Sequence, residues 1–191
     1  MRYFKKIIGE RIYLSPMNKE DVEIYTKWLN DEEVAVNLGQ YAKVITLNNE
    51  QKTLENMTTD GYNFAIVKND DTLIGNISLM NIKHTSRSAV TGLFIGEKEN
   101  RGNGYGTEAM RLILDYGFNT LNLHNIMLNV YSDNKQAIAC YKKVGFIEFG
   151  RRREACYKNG RYVDDVHMDI LDEEFNRSKQ ANPAKMVNFT I

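Results

Sequence analysis

The sequence shows no excess of either charge: Lys plus Arg count 25 and Asp plus Glu count 25 in 191 residues. A general nucleic-acid binder needs a basic surplus or a basic face, so that class is set aside, while a local anion site stays open. Cysteine is scarce. Cys140 and Cys156 form neither a CxxC pair nor a metal spacing and fit a reducing compartment. His84, His124 and His167 are scattered, with no zinc pattern. No apolar run approaches the ~20 residues that span a bilayer. The start, Met1 to Glu10, is basic and only briefly apolar, unlike a signal peptide. These absences point to a cytoplasmic protein without metal, membrane or nucleic-acid partner. A core can form without staples at this length.

Positive signals come next. Arg11 to Ser15 alternates as a short strand and Pro16 ends it. Asn18 caps a helix with Val22, Tyr25, Trp28 and Leu29 on one face, which makes Trp28 core. Asn48 with Gln51 suggests a second cap. Strands are expected over 62–68, 72–80 and 87–96, the first two joined by Asn69-Asp70-Asp71. A helix over 107–119, a strand over 124–131 and a helix over 133–144 follow, the last with Asp133 and Gln136 at capping-box spacing and Gly145 beyond its end. Strands at 146–157 and 162–171 flank the turn Lys158-Asn159-Gly160-Arg161. Residues 1–171 read as one domain and 172–191 as a polar tail. The pattern is α/β with a mixed sheet, and the strands at 87–96 and 124–131 should be parallel because a helix crosses between them.

Arg101-Gly102-Asn103-Gly104-Tyr105-Gly106-Thr107 joins a strand to a helix. Free N–H groups of a first helical turn favour an anion, and glycine lets the backbone approach it. Arg101 adds a positive charge at the rim. The loop lacks the Lys-Ser/Thr of a Walker loop and the third glycine of a dinucleotide loop. By itself it supports anion binding only.

Together with Asn134-x-x-Ala137-Ile138-x-x-Tyr141-x-x-x-Gly145-Phe146, the stretch Arg101-x-x-Gly104-x-Gly106 resembles the GNAT acetyltransferase superfamily. Arg11 to Leu14, Lys27 to Asp31, Leu73-Ile74-Gly75 and Asn159 to Tyr162 are similar to its branch of ribosomal-protein N-terminal and spermidine acetyltransferases. The resemblance spans roughly residues 10–171. It implies a mostly antiparallel sheet of about seven strands, helices on both faces, splayed between two parallel central strands, with acetyl-CoA in the gap. It implies N-acetyl transfer to a primary amine, of a protein N-terminus or a small molecule, through a tetrahedral intermediate.

The resemblance also implies roles. Backbone groups of Leu93, Phe94 and Ile95 would pair with the pantetheine arm, one N–H near Phe94 or Ile95 stabilising the oxyanion. Residues 101–107 would hold the pyrophosphate and Asn134 the arm. Tyr141 would be the general acid; read from its helix alone it is a packing tyrosine, and Asn134 a helix-terminal residue. The branch's usual glutamate is Val90, which takes no proton, and Thr91 can at most orient a water. Glu32, Glu33 and Glu154 stay open as bases. The acceptor side should come from residues 28–37 and the hairpin at 156–162. A non-catalytic acyl-CoA-binding module and a nucleotide-phosphate binder are the competing classes. Oligomeric state is left open, a homodimer included.

Overall fold

The structure, a computed structural model, describes residues 2–59 and 61–181. Eight strands form one sheet in the order β1-β2-β3-β4-β5-β6-β8-β7. They are β1 (Ile7–Ile8), β2 (Ile12–Pro16), β3 (Asn63–Lys68), β4 (Leu73–Lys83), β5 (Ser88–Ile95), β6 (Asn125–Tyr131), β7 (Ile147–Lys158) and β8 (Arg161–Leu171). Among the described residues only β5 and β6 run parallel. The helices are α1 (Val22–Leu29), α2 (Glu32–Asn37), α3 (Leu47–Thr59), α4 (Tyr105–Asp115), α5 (Lys135–Val144) and α6 (Asp172–Ala181). The expected mixed sheet and its one parallel pair are therefore present. β1 and α2 are additions, too short to give a period in the sequence.

Each face of the sheet has its own core. On one, the apolar stripe of α4 (Ala109, Met110, Leu112, Ile113) packs with Tyr141 and Val144 of α5 against Leu14, Ile66, Ile77, Leu79, Ile126, Leu128 and Met168. On the other, Tyr25 and Trp28 of α1 and Leu54 of α3 cover Tyr13, Ala65, Val67 and Leu73. Phe94 is the last sheet residue under this second layer, edge-on to Tyr25 and Trp28 at 6.3 and 6.1 Å. Such ring pairs add about 0.5–1.5 kcal/mol beyond area burial. The same face of β6, β8 and β7 contributes nothing to that core.

Local chemistry explains several boundaries and corrects three. Asn18 accepts from the Glu20 N–H (3.0 Å), opening a short 3₁₀ turn before α1. α3 is capped by Thr46, whose Oγ1 accepts from the Asn49 N–H, and not by Asn48. α5 is capped by Asn134, whose Oδ1 accepts from the Ala137 N–H at 3.1 Å, while Asp133 is drawn off to Lys158 (2.8 Å). The segment after Leu171 is not all tail: α6 docks Phe175 against Phe118, ring centroids 5.5 Å apart. The rest of that segment lies outside the described residues. Asn159 and Gly160 both take positive φ, 50° and 77°, which a tight β7–β8 hairpin needs.

Candidate active site

β5 and β6 pair only at Ser88–Asn125, Ala89–Ile126 and Val90–Met127. Beyond that rung each strand stays with its other neighbour, β5 with β4 as far as Ile95 and β6 with β8 as far as Tyr131. A cleft therefore opens between Thr91–Ile95 and Leu128–Tyr131. The Gly96 N–H donates to Ile74 O at 2.9 Å, which fixes the phase of the β4–β5 ladder. Antiparallel pairing alternates, so Phe94 bonds to Asn76 while Thr91, Leu93 and Ile95 turn their N–H groups to the cleft. Of the two residues expected to supply a free N–H, Ile95 has the right polarity and Phe94 has the wrong one. Phe94 contributes its ring instead.

The glycine loop lies at the end of this cleft. Gly104 is the N-cap of α4 at φ 85°, and no side chain caps the helix, so the first-turn N–H groups of Tyr105, Gly106 and Thr107 remain for an anion. Gly102 also takes positive φ, 76°. A Cβ on Gly106 would lie 3.5 Å from Leu93 Cδ1, and one on Gly102 3.7 Å from Gln136 Nε2 of α5. Thr107 Oγ1 is 3.3 Å from Cys140 Sγ. Loop, β5 and α5 thus converge, and the two sequence signatures meet in space.

The side chain of Arg101 turns away from this anion site. Its Nη1 donates to Glu33 Oε2 (2.7 Å) and its Nε to Ile95 O (3.1 Å), with Nη2 on Gly96 O. It braces α2 against the end of β5, and it occupies the Ile95 carbonyl. The cation that touches the loop is Arg11. Its Nη1 donates to Asn103 O (2.9 Å), its Nε to Glu108 Oε2 (3.0 Å), and its guanidinium lies over the Tyr105 ring at 5.0 Å. No local pattern signals this, because the two segments are far apart in sequence.

Tyr141 is buried on α5, edge-on to Phe146 at 5.9 Å. Burial, with a smaller effect of Cys140, holds its phenol well above the ordinary range, so the proton is in place at any physiological pH. Asn134 spends Oδ1 on the cap and keeps its amide N–H donors. Val90 is half-buried and presents no acid. Thr91 is buried, its hydroxyl donating to Ser78 O (2.9 Å), so it does not orient a water. Glu33 pairs with Lys98 and Arg101, which lowers its carboxyl. Glu154 is exposed in a bulge of β7, and Glu32 is exposed on α2. None of the three has the surroundings of a base.

Residues 28–37 and the hairpin at 156–162 are the segments expected on the acceptor side. Trp28 is core, its Nε1 donating to Glu97 (3.0 Å). The segment after α2 crosses to the other half of the sheet. The Tyr41 hydroxyl donates to Tyr157 O of the hairpin, and Gly39 sits so close to the Tyr131 hydroxyl that no Cβ would fit. Burial, with Cys156 and Asp165 beside it, pushes the Tyr131 phenol up to about 12.

A splayed parallel pair over an uncapped helix N-terminus defines a class, and comparison with known proteins agrees. The model of the acetyltransferase (GNAT) domain matches residues 11–147. The spermidine N(1)-acetyltransferase of Vibrio cholerae is 37% identical over 117 residues, 61% of this chain and 67% of that enzyme. The Escherichia coli K12 enzyme of the same name is 34% identical over 110 residues, 58% of this chain and 59% of its own length. The crystal structure of the Vibrio cholerae spermidine N-acetyltransferase with CoA and spermine superposes with a TM-score of 0.79 at 26% identity, covering 87% of this chain and 98% of that one. This chain belongs to the GNAT acetyltransferase family. Acetyl-CoA is its co-substrate and an amine its acceptor. Among the described residues no cluster of His, Cys, Asp and Glu is arranged to hold a metal, and no helix is long and apolar enough to cross a membrane.

Proposed function

We propose that this chain acetylates a primary amine of a small molecule or peptide N-terminus by direct attack on acetyl-CoA, with the residue roles that follow. The single observation that carries these roles is the unpaired edge of β5 beyond Val90, ending over the uncapped α4. The pantetheine arm lies along the open edge of β5 at Leu93 to Ile95 as a missing strand would. The first turn of α4 takes the pyrophosphate, and Asn134 donates an N–H to the arm. The N–H of Ile95 or Leu93 meets the thioester oxygen as negative charge develops there.

The amine nitrogen attacks the carbonyl carbon from the face opposite α4 and α5, beside the edge of the α1–α3 layer at Phe94. The C–N bond forms, the C–S bond breaks and the electron pair leaves on sulfur. Tyr141 hydrogen-bonds the departing thiolate and gives it a proton. The phenol's weak acidity keeps the hydrogen bond as its main contribution until the sulfur carries full charge. The free Cys140 and Cys156 suit a reducing compartment such as the cytoplasm.

Free-thiol release from acetyl-CoA with spermidine, an aminoglycoside and an alanyl peptide as acceptors tests this reading. Turnover on at least one is expected. Tight CoA binding without turnover on any amine would make the chain an acyl-CoA-binding module instead.

A further inference from the structure

An amine is protonated at neutral pH and must lose a proton before it attacks, yet Val90, where the family resemblance implies a glutamate, takes no proton. We propose that His167, with Asp165 beside it, accepts that proton through a water at the acceptor mouth. The inference rests on the acetyl-transfer reading above.

The placement follows from strand register. Val166, Met168 and Ile170 of β8 point into the core beneath α4 and α5. Their neighbours Asp165, His167 and Asp169 therefore point to the opposite face. The α1–α3 layer stops at Phe94, so it leaves this strip next to the cleft. Counting on from the Val90–Met127 rung, Gly92 is level with Asn129 and Phe94 with Tyr131. Asn129 pairs with His167 and Tyr131 with Asp165. His167 and Asp165 thus sit one strand beyond the cleft, level with Gly92 and Phe94, the residues that flank the cleft-facing N–H of Leu93.

The two side chains are a pair. Asp165 Oδ2 lies 3.9 Å from His167 Nε2. Asp165 Oδ1 is buried without a hydrogen-bond partner, an acceptor left for a water or an ammonium hydrogen. Asn76 Oδ1, in the level row on the other half of the sheet, is also buried and without a partner. Acceptors lacking donors on both sides of the cleft suit a cationic, donor-rich group. Asp169 is not available, since the Asn125 amide donates to it at 2.8 Å. Around His167, β8 contributes Asp165 and Asp169, β6 contributes Asn129 and Tyr131, and β7 contributes Phe149, at 6.1 Å, and Arg152 opposite Asp165.

In the proposed step R–NH3+ gives one proton through water to the imidazole, which becomes imidazolium beside Asp165. The freed lone pair forms the C–N bond. As the intermediate collapses, Tyr141 protonates the departing sulfur and the second nitrogen proton passes through water to the tyrosinate, which restores the phenol, while the imidazolium returns its proton to solvent.

The test begins with wild type and an accepted alkylamine, then its aminooxy analogue, whose nitrogen is already neutral at pH 7. His167→Gln should lower kcat on the alkylamine by roughly 10²-fold. It should leave the KM for acetyl-CoA unchanged and act nearly as wild type on the aminooxy analogue. Asp165→Asn should show the same split with a smaller loss. Added imidazole should restore part of the turnover of His167→Ala. If wild type releases no thiol with any amine, the acetyl-transfer reading has failed. If wild type turns over and His167→Gln matches it, or loses equally on both acceptors, His167 is not the proton acceptor.

Discussion

Val90 on β5 stands opposite Met127 on β6, and theirs is the last rung joining the two halves of the sheet. The cleft opens beyond it. β5 keeps its ladder to β4 and β6 keeps its ladder to β8, so the open edge is held by rigid strands and not by loops.

This polarity gives a test by proline. Leu93 points its N–H to the cleft and Phe94 points its N–H to Asn76. Leu93→Pro removes a donor that the protein itself does not use. It should leave a folded protein with a modest loss of Tm and weaken CoA binding at least ~10-fold. Phe94→Pro breaks a ladder bond inside the sheet and should cost ~3 kcal/mol or more. Circular dichroism and calorimetric CoA titration of both variants check the pair. Equal CoA affinity of folded Leu93→Pro and wild type would refute the pantetheine pairing.

Tyr141→Phe keeps the ring that packs on Phe146 and deletes the hydroxyl. Its folding free energy should change by less than about 1 kcal/mol. The leaving thiolate then loses its donor, so kcat should fall ~10²-fold with little change in acetyl-CoA affinity. Steady-state thiol release over a range of acetyl-CoA separates the two constants. An unchanged kcat removes Tyr141 from the chemistry.

What the sequence made legible is what depends on near neighbours. The period of α4, the turn at Asn159-Gly160 and the two signatures around Gly104 and Tyr141 all express local rules. The sequence points to Asp133 as the cap of α5, one residue before Asn134, because Asp133 is an equally good cap until Lys158 claims it. Contacts between distant segments were not legible. Arg11 reaching Asn103, Arg101 turning to Glu33 and the unpartnered Oδ1 of Asp165, the neighbour of His167, need the fold to bring them together. α6 was read as tail because one buried residue, Phe175, supplies its anchor within a polar stretch.

Gly104 and Gly160 separate a binding glycine from a turn glycine. Both take positive φ, so alanine at either costs folding energy, on the order of 1 kcal/mol. At Gly104 the added Cβ also comes within 3.1 Å of Arg11 Nη2, while nothing lies within 4 Å at Gly160. Gly104→Ala should therefore shift the first turn of α4 and raise the Kd for CoA ~10-fold. Gly160→Ala should lower Tm by a similar amount and leave that Kd alone. Isothermal titration of both decides it, and equal effects on CoA would deny the α4 terminus its role.

Glu50 makes the fold's stability depend on pH. It lies in the first turn of α3, 4% exposed beneath α1, and burial alone pushes its carboxyl up to about 7. In the unfolded chain a glutamate titrates near ~4.3. Between those two values the unfolded chain has lost the proton and the folded one keeps it. The folded state is favoured fully below the lower value, and that advantage disappears as pH rises through the upper one. Glu50→Gln removes the titration while keeping the shape. Urea denaturation at pH 8 should find the variant more stable than wild type, by up to about 3 kcal/mol for a shift of this size. At pH 4 the two should nearly coincide. A difference that stays constant between the two pH values would mean that Glu50 is ionised in the folded protein and that its burial is compensated by another group.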